Sequence, residues 1–301
     1  MNRLDNADRT RIIAALCEGN SIRAVERMTG ISRITVTKLL IELGAACAEY
    51  QNEHLVNLPR KRIQCDEIWA FCYAKDKNVP AHRRNEFGVG SVWTWTAIDA
   101  DTKLVASWTV GTRDAESARM FMLDLASRLR NRIQLTTDGH KAYLEAVDEA
   151  FGGQIDYAML VKIYGESTNP QKRYSPASYG GSRISHISGN PDAKHVSTSY
   201  VERQNLTVRM HMRRFTRLTN GFSKKLENHI AAVSLHFMFY NFVHIHQTLR
   251  VTPAMAAGVT DRVWEVSDVV NLLAVKEENL VTIRKERKMQ KSANTGPVLG
   301  R

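Results

Sequence analysis

KRIQCDEIWAFCY, residues 61–73, is the stretch whose reading decides the fold. Ile63, Cys65, Ile68, Trp69 and Phe71 give it a half-alternating, β-rich pattern, which predicts a strand. SVWTWTAI at 91–98 and KLVASWTV at 103–110 read the same way, with Asp99-Ala100-Asp101-Thr102 as a turn between them. Three strands on short connections predict an antiparallel meander. Asp114 can then cap a helix, DAESARMFMLDLASRLRN, whose apolar face is Ala118, Phe121, Met122, Leu125 and Leu129. RIQLT at 132–136 predicts a fourth strand, Asp138-Gly139 the start of a second helix to about Ala150, and IDYAMLVK at 155–162 a fifth strand. Strands in sequence followed by alternating helix and strand predict a mixed α/β domain.

Upstream, residues 7–18 place Ile12, Ile13, Leu16 and Cys17 on one helical face. Ser21 can cap a second helix with Ile22, Val25 and Met28 inward, and Ser32 a third that ends at Gly44. Three short helices with Gly30 in the second turn fit a helix-turn-helix over 1–45, whose third helix enters the major groove. Arg33, Thr35, Thr37 and Lys38 would then reach bases or phosphates, with Ile34, Val36, Leu39 and Leu40 packing behind. A plain three-helix cap or dimerisation bundle is the competing reading. Residues 46–60 predict a linker into a 61–260 domain.

Downstream, residues 163–198 are rich in Gly, Ser, Pro, Asn and Tyr, and predict an irregular insertion. Helices are expected at about 199–217 and 223–247. Residues 261–301 form an extension in which VWEVSDVVNLL and ENLVTI predict a last helix or strand, followed by a basic, disordered tail from Arg284.

Composition narrows the function classes. With 43% hydrophobic and 24% charged residues, collagen-like, disordered and disulfide-scaffold classes are excluded, and no apolar run predicts a membrane span. MNRLDNADRT has no apolar signal region. Cys17, Cys47, Cys65 and Cys72 form no metal-type pattern and read as reduced thiols in the cytosol. A net charge of +11 favours an anionic partner, usually nucleic acid.

Three acids stand in places that chemistry would use. Asp66 lies inside an apolar strand, where a carboxylate is costly unless it is paired or bound to a metal. Asp138 follows the fourth strand, and Glu202 opens a long helix in STSYVERQN. Clustered carboxylates raise one another's pKa until a cation arrives. Such a site suits two-metal phosphodiester displacement, with Mg²⁺ favoured by hard oxygen ligands and Mn²⁺ tolerated. Each acid also has a structural reading. Asp66 can pair with Arg62, and Glu67 rivals it as ligand because strand neighbours face apart. Asp138 can cap its helix, and Glu202 stands at capping-box spacing from Ser199.

Residues 199–225 carry seven Arg/Lys (Arg203, Arg209, Arg213, Arg214, Arg217, Lys224 and Lys225) and one acid, Glu202. On one long helix Arg209, Arg213 and Arg217 share an i, i+4 face that can track phosphates. His140 and Lys141 can reach phosphates or merely be solvated at a helix start. His195 has no assignable role, and His236, His244 and His246 read as packing. Tyr164, Lys172, Arg173, Tyr174, Tyr179 and Arg183 mix aromatics and bases in a way that suits unpaired DNA, or a plain surface loop. TPAMAAG at 252–258 reads as a structural turn and helix.

CDEIWAF, TTDGHKAY, STSYVERQNLTVRMHMRRFTRLTNGFSKKLENH and YNFVHIHQTLRVTPAMAAGVTD together resemble bacterial insertion-sequence transposases of the DDE class, the insertion-sequence-one type most of all, over roughly residues 8–262. The resemblance implies an RNase H-like mixed sheet flanked by helices and a catalytic triad of Asp66, Asp138 and Glu202. It implies Mg²⁺-dependent hydrolysis at element ends and attack of the freed 3′-OH on target DNA. It also implies double-stranded DNA as partner and a cytoplasmic, nucleoid-associated bacterial setting. Two DNA ends must be joined, so at least a dimer is expected on DNA. The 64-residue interval from Asp138 to Glu202 is longer than in retroviral-type integrases, and the zinc-binding N-terminal segment of some relatives is missing. A catalytically inactive DNA-binding regulator and an RNase H-like nuclease without strand transfer are the alternatives.

Overall fold

β1 (Arg62–Cys72) is the centre of a six-stranded sheet ordered β3-β2-β1-β4-β5-β6 in the computed structural model, which describes residues 4–165, 179–216 and 219–276. β1, β2 (Gly90–Asp99) and β3 (Val105–Gly111) form the antiparallel meander. β4 (Gln134–Thr137) and β5 (Asp156–Tyr164) run parallel to β1, and β6 (Tyr179–Ser188) returns antiparallel to β5. Strand order 3-2-1-4-5, with the crossovers to β4 and β5 made by helices, is the RNase H-like arrangement.

Alternation in β1 divides the protein into two layers. Odd positions such as Ile63 and Cys65 join Trp95, Phe121 and Tyr143 under α4 (Ala115–Arg128) and α5 (Ala142–Phe151). Even positions Ile68, Ala70 and Cys72 pack with Val201, Val208, Val233 and Phe237 of α6 (Ser199–His211) and α7 (Leu226–Phe242). Burial on both faces explains why apolar residues occur at both odd and even positions of β1. Each fully buried Phe121 or Phe237 contributes about 1.5–3 kcal/mol.

The N-terminal helices are α1 (Asn6–Cys17), α2 (Ile22–Thr29) and α3 (Arg33–His54), with Ser21 and Ser32 capping α2 and α3 as expected. Two expectations fail here. α3 does not stop at Gly44, and most of the expected 46–60 linker is its last turns. The reason is tertiary: Gly44 lies against the backbone of Ala231 in α7, where a helix interior needs a residue with no side chain. Ser234 Oγ donates to Gly44 O at 2.8 Å and Gln51 Nε2 to Ser234 O at 3.3 Å, tying the two helices together. Ile12, Ile13, Val36, Leu39 and Leu43 belong to the same apolar cluster as the sheet residues. Met28, expected inward, is exposed, and so is Ile34.

Two further corrections concern the second half. The 163–198 segment is not wholly irregular, because 179–188 forms β6. The long basic helix ends at His211, and Arg213–Phe215 is a separate single turn. α8 (Pro253–Ala256), capped by Thr252, follows, and a helix over 266–276 forms in the first apolar stretch of the extension. Lys172, Arg173, Tyr174, Arg217, the second apolar stretch and the tail lie outside the described residues.

Candidate active site in a carboxylate cleft

The parallel register of β1 and β4 builds the site. Arg62, Ile63 and Gln64 lie opposite Gln134, Leu135 and Thr136. The same offset carried two residues further sets Asp66 beside Asp138, where β4 has ended and the chain turns away. Oxygens of Asp66, Glu67 and Asp138 lie within 4.8 Å of one another. Asp138 Oδ1 accepts the His140 N–H at 2.8 Å, which holds the turn toward α5. Gly139 lets that turn lie against β5, since a Cβ there would be 3.1 Å from Val161.

α6 closes the cleft from the other side. Gln64 Oε1 accepts the backbone N–H groups of Tyr200 and Val201 at 2.8 and 3.2 Å, pinning the first turn of α6 to β1. Asn205 Nδ2 donates to Asp66 Oδ2 at 2.8 Å. Both contacts use the face of β1 that carries Asp66. Glu202 lines the same cleft, of about 670 Å³, as Asp66, Asp138, Lys141 and Arg113. Its carboxylate accepts from Thr198 Oγ1 at 2.6 Å and from Lys162 Nζ of β5 at 2.5 Å on both oxygens. Thr198 is the N-cap and Ser199 already lies inside the helix, so the Ser199–Glu202 capping box does not form.

Glu67 has a different environment. Its side chain is buried and paired with Arg113 at 2.6 Å, and Tyr143 OH donates to it at 3.1 Å. Among the described residues Asp66 has no cationic partner at this distance. It accepts the Glu67 N–H at 2.9 Å, while Arg62 pairs with Asp101 and not with Asp66. Burial first, then the charges of Glu67 and Asp138, push Asp66 up to about 7. Burial and Asp138 also raise Glu67, against the opposing effect of Arg113. A half-buried carboxylate titrating near neutrality marks a site short of positive charge. An all-carboxylate donor set fits a hard divalent cation such as Mg²⁺.

The expected phosphate-binding residues are scattered. Lys141 is exposed at the cleft, and Arg203 is exposed on α6. His140 packs its ring between Trp95 and Tyr143. Arg209 is half-buried and Arg213 lies exposed beyond the end of α6. Arg209 and Arg213 therefore do not share one helical face, and Arg217 lies outside the described residues. Arg214 turns inward to Ser223 Oγ, and burial lowers its pKa to about 10. On α3, Arg33 and Lys38 are exposed beside Ile34, while the Thr37 hydroxyl is committed to Arg33 O and that of Thr35 lies 3.1 Å from Ser32 Oγ.

Gln64, Arg113, Lys162 and Asn205 were not legible as site residues from sequence. Gln64 precedes Asp66 by two in a strand, and Asn205 follows Glu202 by three in a helix, so each shares a face with an acid. Lys162 is a lone cation at the end of an apolar strand. Nothing local marks Arg113.

No protein-family model matches the chain, and no curated protein matches it. Solved structures similar to it include the crystal structure of the Mos1 strand transfer complex, at 12% identity and a TM-score of 0.24, covering 78% of this chain and 77% of that one. A likeness of that size does not bear on function. Among the described residues no helix is long and apolar enough to cross a membrane.

Proposed function

We propose that this protein is a DDE-type DNA transposase whose catalytic carboxylates are Asp66, Asp138 and Glu202. The observation that carries the reading is the β1–β4 register, which sets Asp66 beside Asp138 at the mouth of a cleft whose far wall holds Glu202. These three would hold divalent metal, Mg²⁺ or Mn²⁺. Such ions, when bound, activate the attacking oxygen and stabilise the leaving one in phosphodiester cleavage and strand transfer. Asn205 fixes the orientation of the Asp66 carboxylate, and Gln64 fixes the distance of α6 from β1. Lys141 and Arg203 supply positive charge to the DNA backbone near the cleft. Glu67 is a buttress, since its charge is already balanced by Arg113. Lys162 holds Glu202 in the metal-free protein and must release it before Glu202 can serve as a ligand.

The three N-terminal helices act as a helix-turn-helix in this reading. The open face at the start of α3 offers Arg33 and Lys38 to phosphates or base edges and Ile34 to a thymine methyl. Joining two ends calls for at least a dimer on DNA.

The test is strand transfer on labelled element-end DNA with Mg²⁺, wild type against Glu202→Gln. Joined products from the wild type and none from the variant are expected. Equal activity in both removes Glu202 from the site. Cut but unjoined products favour the nuclease, and specific binding without any cutting favours the regulator.

A further inference from the structure

Two tryptophans on one face of β1 and β2 have contrasting environments. Trp95 is fully buried beneath Phe121 and Tyr143. Trp93 stands two residues earlier on the same face, half-buried and directly opposite Trp69 of β1. Trp69 is 36% exposed. A large ring left partly open to solvent beside a packed core needs an explanation, because covering the rest of it would stabilise the fold.

Trp69 and the half-buried Phe71 and Phe222 form an ordered row. Trp69 donates Nε1–H to Ser91 Oγ at 2.8 Å, which sets the plane of its ring. Its centroid is 5.8 Å from that of Phe71 at an interplanar angle of 32°, and Phe71 is 4.9 Å from Phe222 at 31°. Successive rings at about this separation and tilt present a staircase of π faces. Cations flank it: Arg113 lies over Trp93 at 4.7 Å and Lys75 over Phe71 at 5.7 Å. The neighbouring carboxylates are already engaged, Asp76 with Ser91 and Glu86 with Arg83. Arg113 also lines the carboxylate cleft and holds Glu67, so the row begins at the cleft wall.

We propose that Trp93, Trp69, Phe71 and Phe222 form a stacking platform for an unpaired stretch of DNA strand entering or leaving the cleft. Aromatic faces interleaved with cations recognise single strands through base stacking and backbone charge, with little dependence on sequence. A duplex has no free base faces to offer this row, whereas a strand opened next to the reacting phosphate has. The platform rests on the reading of the cleft as a DNA-processing site, and it assigns to that site a substrate with unpaired nucleotides beside the scissile bond.

The test uses the full-length protein in EDTA, so that binding is separated from chemistry. The probes are a short oligothymidylate, a duplex of the same length and inorganic polyphosphate, which carries charge without bases. Oligothymidylate should quench tryptophan emission. Trp69→Ala should weaken it by roughly tenfold, with Trp69→Phe close to wild type and duplex and polyphosphate affinities little changed. Unchanged oligothymidylate affinity in Trp69→Ala, or an equal loss for polyphosphate, overturns the proposal. So does a change of oligomeric mass in Trp69→Ala with oligothymidylate binding intact, because the row would then contact a second copy of the chain. On the wild-type protein, a strand bearing 5-iodouridine should photocrosslink to peptides carrying Trp69 or Trp93, and crosslinks confined to other segments also overturn it. Glu202→Gln, assayed in parallel, should still bind oligothymidylate while losing strand transfer. Loss of the platform with chemistry intact refutes the platform alone, and stacking without chemistry refutes the transposase reading alone.

Discussion

Gly44→Ala should destabilise this protein, although the same change in an ordinary helix interior stabilises it. A Cβ at Gly44 would sit 2.5 Å from Ala231 Cα and 2.6 Å from both its Cβ and its carbonyl oxygen. Ordinary contact begins at 3.4 Å, so closing to 2.5 Å leaves a deficit of about 0.9 Å that α3 and α7 must absorb by parting. Overpacking of this kind costs about 1–3 kcal/mol. Parting also stretches the bonds from Ser234 to Gly44 and from Gln51 to Ser234, the first alone worth about 1 kcal/mol. Replacing Gly by Ala in a helix returns about 1 kcal/mol. The net expectation is a loss of about 2 kcal/mol. Urea titration followed by tryptophan fluorescence and far-ultraviolet circular dichroism measures it. Because α3 shares its core with the sheet, both probes should report one coincident transition that moves to lower urea in the variant. A variant as stable as the wild type, or more stable, would refute the claim that α3 and α7 meet backbone to backbone. Two separate transitions would refute the shared core.

Three other expectations can be checked alongside. Asp66 has a folded pKa near 7, above its ordinary value of 3.8, so its own contribution to the stability of the metal-free fold is complete below about pH 4 and is lost as pH rises toward 7; Glu67, raised by burial and by Asp138, adds a contribution of the same sign, so Asp66→Asn should make this slope shallower in urea titrations under EDTA, and an unchanged slope in the variant would assign it to other groups. Lys162→Met frees Glu202 from its ion pair, so Mn²⁺ should bind about tenfold more tightly by calorimetry, a gain of about 1.4 kcal/mol; weaker binding would show that Lys162 helps to assemble the site. Arg128 is buried and donates to Asp124, Asn52 Oδ1 and the carbonyls of Gln51 and Leu55, so Arg128→Met should cost about 3 kcal/mol in the same titration, and a loss under about 1 kcal/mol would contradict that network's role in seating α3 on α4.

Much of the sheet was legible because its strands announce themselves locally. KRIQCDEIWAFCY, SVWTWTAI and IDYAMLVK are dense in β-branched and aromatic residues, and short turns separate the meander. Asp114, Ser21 and Ser32 could be read as caps because a cap acts within three residues of itself. Strand 179–188 was not legible. Its Gly, Ser and His residues pack little apolar surface, and it is a strand because the edge of β5 pairs with its backbone. The continuation of α3 past Gly44 was hidden for a related reason, since a glycine that ends a helix and one that admits a neighbouring helix look alike in sequence.

The same division holds at the site. Asp66, Asp138 and Glu202 could be singled out because an acid in an apolar strand, at a strand end or at the head of a basic helix is conspicuous by its own neighbours. Which acid faces the cleft is decided by strand pairing and by the layer that packs on each face: Arg113 and Tyr143 engage Glu67 from one side, and Asn205 engages Asp66 from the other. The basic stretch shows the reverse case, where the spacing of Arg209, Arg213 and Arg217 predicts one shared face on a long helix. The chain instead turns after His211 so that Met212 and Phe215 can enter the core, and Arg214 is drawn inward with them. Sequence alone thus determined the local elements, their caps and the list of unusual charges, because these depend on neighbours a few residues away. The sheet edge, the α3–α7 contact and the partner of each charge were decided by tertiary structure, because burial and pairing between distant segments set the cost of every buried polar group.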